Sequence, residues 1–313
     1  FILYWNNFSK PINDFTNVTA QIMAAFASAE RVFRVIDMPD AVGNGSRGPL
    51  REEDFAPLTE RQSSNPVAGH VVFEHIYFSY TPDKPLISDV SLEVQPGQTV
   101  AVVGPTGAGK TTLINLLLRF YDVQSGVIRI DGQDTMQMSK IDLRRRFGMV
   151  LQDTWLFSGT IRDNIKFGCP EATDDAMIKA SKAAHAHGFI KRLPDGYDTV
   201  IEGSGTGISE GQKQLLAIAR VILAEPSILI LDEATSSVDS LTEHRVRDAF
   251  EVLMRGRTSF VIAHRLSTIR NADLIIVMQN GNIVENGTHE ELIEKRGVYA
   301  AMNGFEKIQG ART

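Results

Sequence analysis

The central motif of this chain is the stretch Gly104-Pro105-Thr106-Gly107-Ala108-Gly109-Lys110-Thr111. It matches the pattern G-x-x-x-x-G-K-[ST] at every fixed position. The apolar run at residues 99–103 precedes it and predicts a buried strand, and residues 112–120 follow it and predict a helix. This pattern binds phosphate where a glycine-rich loop joins a strand to a helix. The sequence therefore predicts an α/β fold built around a phosphate-binding loop.

The loop offers several groups to a nucleotide. Its glycines let the backbone turn and bring N–H groups close to phosphate oxygens, and the helix N-terminus adds a positive partial charge. Lys110 is expected to reach the β- and γ-phosphates, and the Thr111 hydroxyl to ligate Mg²⁺. The residues expected to bind ATP here are Thr106, Gly107, Ala108, Gly109, Lys110, Thr111 and Thr112. The alternative is a glycine-rich turn with an incidental lysine.

Two adjacent carboxylates follow a second apolar run. Residues 228–231 read Ile-Leu-Ile-Leu and are followed by Asp232 and Glu233. Ligands of open α/β sheets bind at the carboxyl ends of strands, so both acids are expected beside the phosphate loop. Asp232 would hold Mg²⁺ through water, and Glu233 would orient or deprotonate the attacking water. The alternative is a strand end with solvated acids.

Length, charge and cysteine content limit the possible classes. A chain of 313 residues suggests about two domains, or one large domain with an appendage. The net charge of −6 argues against a nucleic-acid partner. The single cysteine, Cys169, excludes an internal disulfide and favours a reducing, intracellular location.

The N-terminal part predicts a packing helix over residues 12–36. Apolar residues recur there at spacings of three and four, which defines one stripe that needs a partner. The stripe consists of Phe15, Val18, Ile22, Phe26, Ala29 and Phe33. The short apolar segment at residues 1–5 is either the last turn of a membrane helix or a frayed terminus. No run reaches the roughly eighteen apolar residues of a membrane span.

The remainder alternates between strand and helix patterns. Residues 41–66 are rich in Gly, Pro and Ser and predict a linker. After it we expect an α/β domain with a mainly parallel sheet and an antiparallel edge near its start. A helical insertion is predicted near residues 153–224, with helices at 160–167, 174–184 and 211–223. Asn280-Gly281 predicts a hairpin turn.

A third motif lies about twenty residues before Asp232. It reads Ile208-Ser209-Glu210-Gly211-Gln212 and resembles the Leu-Ser-Gly-Gly-Gln signature of the ATP-binding cassette (ABC) ATPase family. The resemblance implies a P-loop NTPase core with a mainly parallel sheet, an antiparallel β subdomain and an inserted helical subdomain. It also implies ATP and Mg²⁺ as cofactors. In this family the signature of one subunit closes over ATP held by the other.

Further family elements follow in the expected order. Tyr80 matches the aromatic residue that stacks on adenine. Gln152 matches the glutamine that senses Mg²⁺ and faces the transmembrane partner. Ser237 and Asp239 lie in a segment that resembles the D-loop of the dimer, and His264 matches the histidine that contacts the γ-phosphate. With Glu233, the resemblance makes Gln152 and His264 the catalytic set, and it covers residues 69–305.

The N-terminal residues define a subclass. Residues 27–37 resemble the connection between the last transmembrane helix and the ATPase domain of exporters that carry both in one chain. The resemblance implies a membrane helix end and connecting helix at 1–38, a linker at 39–68 and an ABC ATPase domain at 69–313. It also implies a transmembrane domain of the same full-length chain as partner. The location would be the cytoplasmic face of the cell membrane, with the fragment itself soluble.

The signature departs from the family pattern. Glu210 occupies the third position, where the family has glycine, and brings negative charge and a side chain to a place where the backbone should approach phosphate. The chain's own ATP-binding and catalytic residues match the family. This asymmetry resembles one half of a heterodimeric exporter, so a second ABC half-transporter is favoured as partner over a second copy of this chain.

Three other classes of protein fit the sequence less well. A soluble ABC ATPase of DNA repair or chromosome maintenance would carry a long coiled coil between the loop and the signature, and no sustained heptads occur here. A regulatory nucleotide-binding module would not need Glu233 and His264. Another P-loop enzyme, such as a small-molecule kinase, would lack the signature. The substrate is left open among lipid, drug-like molecule and peptide.

Overall fold

The computed structural model describes residues 2–38, 69–151, 154–202, 207–232, 240–262, 266–302 and 304. The chain divides into two compact units, Phe1–Asn44 and Gly45–Thr313. The whole of the predicted linker at 39–68 lies outside the described residues.

The first unit contains one long helix, α1 (Ile2–Ile36). The prediction of a start at Ile12 was wrong, because the helix continues back through Pro11, where the sequence pattern favours a helix start. Five large side chains of the predicted stripe are 49% to 74% exposed: Phe15, Val18, Ile22, Phe26 and Phe33. Among the described residues no helix combines the length and hydropathy of a membrane span.

The second unit contains two main sheets. Its strands are β1 (Val71–Phe78), β2 (Ile87–Val94), β3 (Thr99–Val103), β4 (Ser125–Ile130), β5 (Gln133–Asp134), β6 (Phe147–Val150), β7 (Gly159–Thr160), β8 (Val200–Ile201), β9 (Ile228–Asp232), β10 (Thr258–Ile262), β11 (Leu274–Gln279) and β12 (Asn282–Gly287). One sheet has the order β2-β1-β4-β5 and the other β12-β11-β3-β10-β9-β6. Strands β7 and β8 pair separately.

The larger sheet is parallel except for the β11–β12 pair. The expected mainly parallel sheet is therefore confirmed. The expected position of its antiparallel edge was wrong: the antiparallel strands near the start of the domain form a sheet of their own, and the antiparallel edge strand of the larger sheet is β12. Strand β12 turns back at Asn280 and Gly281, both at positive φ, so the predicted hairpin is confirmed.

Helices cover both sides of the larger sheet or join its strands. They are α2 (Lys110–Leu117), α3 (Lys140–Arg145), α4 (Ile161–Lys166), α5 (Asp174–Ala183), α6 (His187–Ile190), α7 (Glu210–Ala224), α8 (Ser240–Met254), α9 (Leu266–Arg270) and α10 (His289–Glu294). The three predicted helices of the insertion are confirmed as α4, α5 and α7. The sequence patterns missed α3, α6 and α9, which have four to six residues and therefore span less than two turns.

Strand β3 separates two apolar layers. Val100 and Val102 pack into one cluster with side chains of β1, β2, β4 and α2. Ala101 and Val103, which point the other way, pack into a second cluster with side chains of α4, α5, α7 and α8. All four are at most 4% exposed. The strand is thus buried on both faces, as its continuous apolar sequence predicts, and the phosphate loop leaves it from a fixed position.

Candidate functional site: the carboxyl edge of the parallel sheet

The carboxyl ends of the parallel strands meet at one edge of the larger sheet. In the strand registers Ile262 of β10 lies beside both Val102 of β3 and Asp232 of β9, and Val150 of β6 lies beside Leu231. The phosphate loop therefore starts at the edge where Asp232 ends its strand. This is the arrangement expected from the sequence.

The phosphate loop leads into α2, whose N-terminus has no side-chain cap. Gly109 is the N-cap of α2 with φ of 102°, and no side chain caps this helix. Gly107 also has a positive φ, of 81°. Because the first N–H groups of a helix have no partner within it, an uncapped start leaves them available to an anion. Thr106, Gly107 and Thr111 are exposed there, whereas Ala108 and Gly109 are buried.

The β11–β12 turn holds the loop in place. Gly281 N donates a hydrogen bond of 2.9 Å to Ala108 O. A Cβ on Gly104 would lie 2.2 Å from Met278 O, and one on Gly281 would lie 1.3 Å from Leu86 O. In the sequence, Asn280-Gly281 predicts only a hairpin turn. The structure adds that it anchors the loop, a role that no local pattern indicates.

Lys110 is partly buried between the loop and a carboxylate. Its Nζ donates to Gly104 O at 2.7 Å and to Pro105 O at 3.1 Å. Burial lowers the pKa of the Lys110 ammonium below its ordinary value, and the Asp232 carboxylate acts in the opposite direction. Two expected members of the site, Lys110 and Asp232, thus interact electrostatically.

Tyr80 lies two residues beyond β1 and reaches the helix that follows the loop. Its hydroxyl lies 3.2 Å from Thr112 Oγ1. Thr112 is buried, and Tyr80 is 50% exposed. The structure therefore brings together the residue expected to stack on adenine and one expected near the phosphates, although they are far apart in sequence.

The signature motif forms the start of α7. Ser209 is its N-cap in a capping box: Gln212 N donates to Ser209 Oγ at 3.3 Å, and Ser209 N donates to Gln212 Oε1 at 3.1 Å. Gly211 is buried. The Glu210 carboxylate lies 3.3 Å from Lys213 Nζ, with side chains that are 46% and 19% exposed, respectively.

Several expected site residues lie outside the described residues. In the sequence Gln152 follows β6 by two positions, Glu233 follows Asp232 directly, and His264 follows β10 by two positions. The D-loop residues Ser237 and Asp239 also lie outside the described part of the chain.

The fold and site define a class of protein. A glycine-rich loop between a parallel strand and an uncapped helix, with a lysine that is attracted electrostatically by a strand-end aspartate, is the nucleotide site of a P-loop NTPase. Residues 87–236 match the family model described as ABC transporter. This part of the chain is an ATP-binding domain of the ABC transporter family, whose ATP-binding domains hydrolyse ATP.

Known proteins of this family resemble nearly the whole chain. It is 52% identical over 302 residues to a fatty acid ABC transporter ATP-binding/permease protein of Mycobacterium bovis, a match that covers 96% of this chain and 46% of the relative. It is 47% identical over 298 residues to an ATP-dependent lipid A-core flippase of Syntrophus aciditrophicus, covering 95% and 47%. The chain spans about half the length of these relatives.

A solved structure shares the fold. The structure of a bacterial Atm1-family ABC exporter with ATP bound matches with a TM-score of 0.76 and 38% identity, over 91% of this chain and 48% of that chain. The resemblance to ABC exporter domains and the P-loop NTPase fold class expected from the sequence are thereby confirmed. The roles of individual site residues stay predictions.

Proposed function

We propose that this chain is the ATPase part of an exporter on the cytoplasmic face of a cell membrane. ATP closes two such domains face to face, and hydrolysis opens them and drives alternating access in the membrane domains. The observation that carries the proposal is the uncapped start of α2, with Lys110 beside Asp232 at the carboxyl edge of the sheet. Relatives named as combined ATP-binding/permease proteins favour this over a soluble, non-transport ABC ATPase or a regulatory module.

The division of the chain follows from the same proposal. Residues 1–38 would end the last transmembrane helix and connect it to the ATPase domain, residues 39–68 would be a linker, and residues 69–313 would form the ABC ATPase domain. The exposed apolar stripe of α1 supports this division. An apolar helix face of this size is stabilised by packing on other helices of a membrane bundle and not by contact with water.

The residues at the site divide the chemistry among them. Lys110 would bind the β- and γ-phosphates, and Glu233 would orient or deprotonate the attacking water. Mg²⁺ would be held by Thr111, Asp232 and Gln152 and would neutralise charge on the phosphates. Such oxygen donors fit it: Thr111 is exposed in the first turn of α2, and the metal needs only one or two carboxylates besides the phosphates. His264 would contact the γ-phosphate.

The test separates hydrolysis from binding. In the full-length protein Glu233→Gln is expected to lower ATP turnover at least about 100-fold while ATP binding is retained. The matched control is Glu251→Gln, on an exposed site of α8, which should leave both unchanged. Undetectable ATPase activity in the wild-type transporter, or full activity of Glu233→Gln, would contradict the proposal.

For the transported molecule we propose a lipid with fatty acyl chains. The support is the names of two relatives, a fatty acid ABC transporter and a lipid A-core flippase. We expect fatty acid or acylated lipid to stimulate the ATPase of the reconstituted full-length protein. Stimulation by peptides or drug-like cations alone would contradict this substrate class.

For the dimer partner we propose a second ABC half-transporter. Glu210 brings a carboxylate to a helix start where a partner's γ-phosphate would approach, and its ion pair with Lys213 leaves the Glu210 side chain 46% exposed. The site that uses this signature would then be weaker than the site that uses this chain's own loop. The asymmetry is easier to reconcile with two different subunits than with two identical ones.

The dimer proposal is tested with the complete transporter. Glu210→Gly is expected to raise nucleotide occupancy at the weaker site about two- to fivefold and to leave the other site unchanged. Glu202→Gly, at another exposed acid upstream, is the control. If this protein expressed alone is a fully active transporter, or if Glu210→Gly changes neither site, the second-subunit proposal fails.

A further inference from the structure

Three aromatic rings meet where the nucleobase would bind. The ring of Tyr80 is perpendicular to those of Phe78 and Tyr121, with 5.0 Å between centroids and 86° between planes in each pair. Phe78 and Tyr121 are themselves 5.7 Å apart. Phe78 is buried in the core, whereas Tyr121 is 46% exposed and follows α2. Tyr121 thus completes an edge-to-face cluster around Tyr80.

Hydrogen bonds join the same two chain segments. Gln124 N donates to Tyr77 O at 3.0 Å. The Gln124 side chain donates to Ser79 O at 3.2 Å and to Ser79 Oγ at 3.0 Å, and Ser79 Oγ donates to Gln124 Oε1 at 3.1 Å. The segment that carries Tyr80 is therefore held by the segment that continues from α2. Because α2 begins at the phosphate loop, these hydrogen bonds connect the segment of Tyr80, where the base would bind, to the helix that follows the loop where the phosphates would bind.

We infer that Tyr121 is a positioning residue for nucleobase binding. It holds the ring of Tyr80 from one side while Phe78 holds it from another and Thr112 binds its hydroxyl. Half of the Tyr80 surface stays exposed for a flat ligand. The ligand class is an aromatic base whose phosphates occupy the loop. This inference rests on the proposed function, in which Tyr80 stacks on adenine.

The test measures base-dependent binding in the full-length transporter. Tyr121→Ala is expected to raise KM for ATP about three- to tenfold, because the ring contact that fixes Tyr80 is lost, with kcat changed less than about twofold. Inhibition by inorganic tripolyphosphate, which has no base, should be unaffected. Tyr121→Phe, which keeps the ring, should restore the wild-type KM.

Two variants make the test specific. Phe120→Ala is the matched control, because Phe120 is 49% exposed on the same segment but packs under Arg144, 4.9 Å from the guanidinium. It should leave KM for ATP unchanged. Tyr80→Ala tests the proposed function itself, and no rise in KM there would overturn adenine stacking. A rise for Tyr80→Ala with none for Tyr121→Ala overturns the inference, and so does equal loss of tripolyphosphate inhibition in Tyr121→Ala.

Discussion

Two helices of the ATP-binding domain begin in opposite ways. Helix α2 begins after Gly109, in the left-handed region and without a side-chain cap. Helix α7 begins after Ser209, whose hydroxyl and backbone N–H are both engaged by Gln212. The first start leaves its N–H groups available to a ligand, and the second uses one of them within the chain.

The first residues of the two helices carry opposite charges. Lys110, the first residue of α2, carries a partly buried ammonium whose pKa is lowered by burial. Glu210, the first residue of α7, carries a carboxylate paired with Lys213. In the proposed two-subunit site, α2 would hold the phosphates and α7 would add donors to phosphates held by the partner. A two-subunit site needs one start of each kind.

The largest expected effect comes from removing the lysine at the open start. Lys110→Ala is expected to lower ATP hydrolysis at least about 100-fold, because the phosphates lose their cation in a poorly solvated loop. Lys213→Ala, at the capped start, should change hydrolysis less than about threefold, since its pair with Glu210 is partly exposed. Steady-state ATPase assays on both variants check this. Similar losses in the two would break the comparison.

The next largest effect is expected at Gly281, in the β11–β12 turn that contacts the phosphate loop before α2. Gly281→Ala is expected to lower the free energy of unfolding by about 3 kcal/mol, because a Cβ would overlap Leu86 O. Gly97→Ala is the matched control: the two glycines have φ of 79° and 78°, but nothing lies within 4 Å of a Cβ at Gly97. Gly97→Ala should lower the free energy of unfolding by about 1 kcal/mol. Urea unfolding measures both, and equal losses would show that the close approach of Gly281 to Leu86 does not constrain this turn.

A smaller effect is expected at the capped start. Ser209→Ala removes the cap of α7 and should lower the free energy of unfolding by about 1 kcal/mol, and Ser209→Thr should recover most of it. Thr160→Ala removes an equivalent capping box from α4 and should cost about the same. In the assembled transporter only the Ser209 variant should also reduce ATPase activity. Equal activity losses would argue that Ser209 serves only as a cap.

The smallest effect is a proton linkage at Lys110. Phosphate binding should raise the pKa that burial lowers, so ATP affinity is full below the ligand-free pKa and falls as the pH rises from that pKa to the ligand-bound one. Well below the ligand-free pKa the lysine is charged in both states and the effect vanishes. Calorimetry in two buffers of different ionisation enthalpy should detect proton uptake at alkaline pH. Its absence there would show that Lys110 does not change its environment on binding.

Much of the fold and of the site was predictable from local patterns. Strands β3 and β9 were predicted because short continuous apolar runs in an α/β domain are typical of buried strands. Helices α5 and α7 were predicted because they are long enough to show a helical period in their apolar residues. The predicted start of α1 at Ile12 was wrong because the helix begins at Ile2, and Pro11 is a residue that often marks a helix start. The antiparallel edge was misplaced because alternation in β1 and β2 does not say which sheet they join.

The sequence by itself determined the chemistry of the loop and the family, because those depend on residue types at fixed spacings along one segment. Only the tertiary structure decided what holds the loop and the aromatic platform: Gly281 on Ala108 and Tyr121 on Tyr80. These contacts join segments far apart in the chain. A local pattern records that a segment is buried, but the partner is set by how the sheets and helices pack.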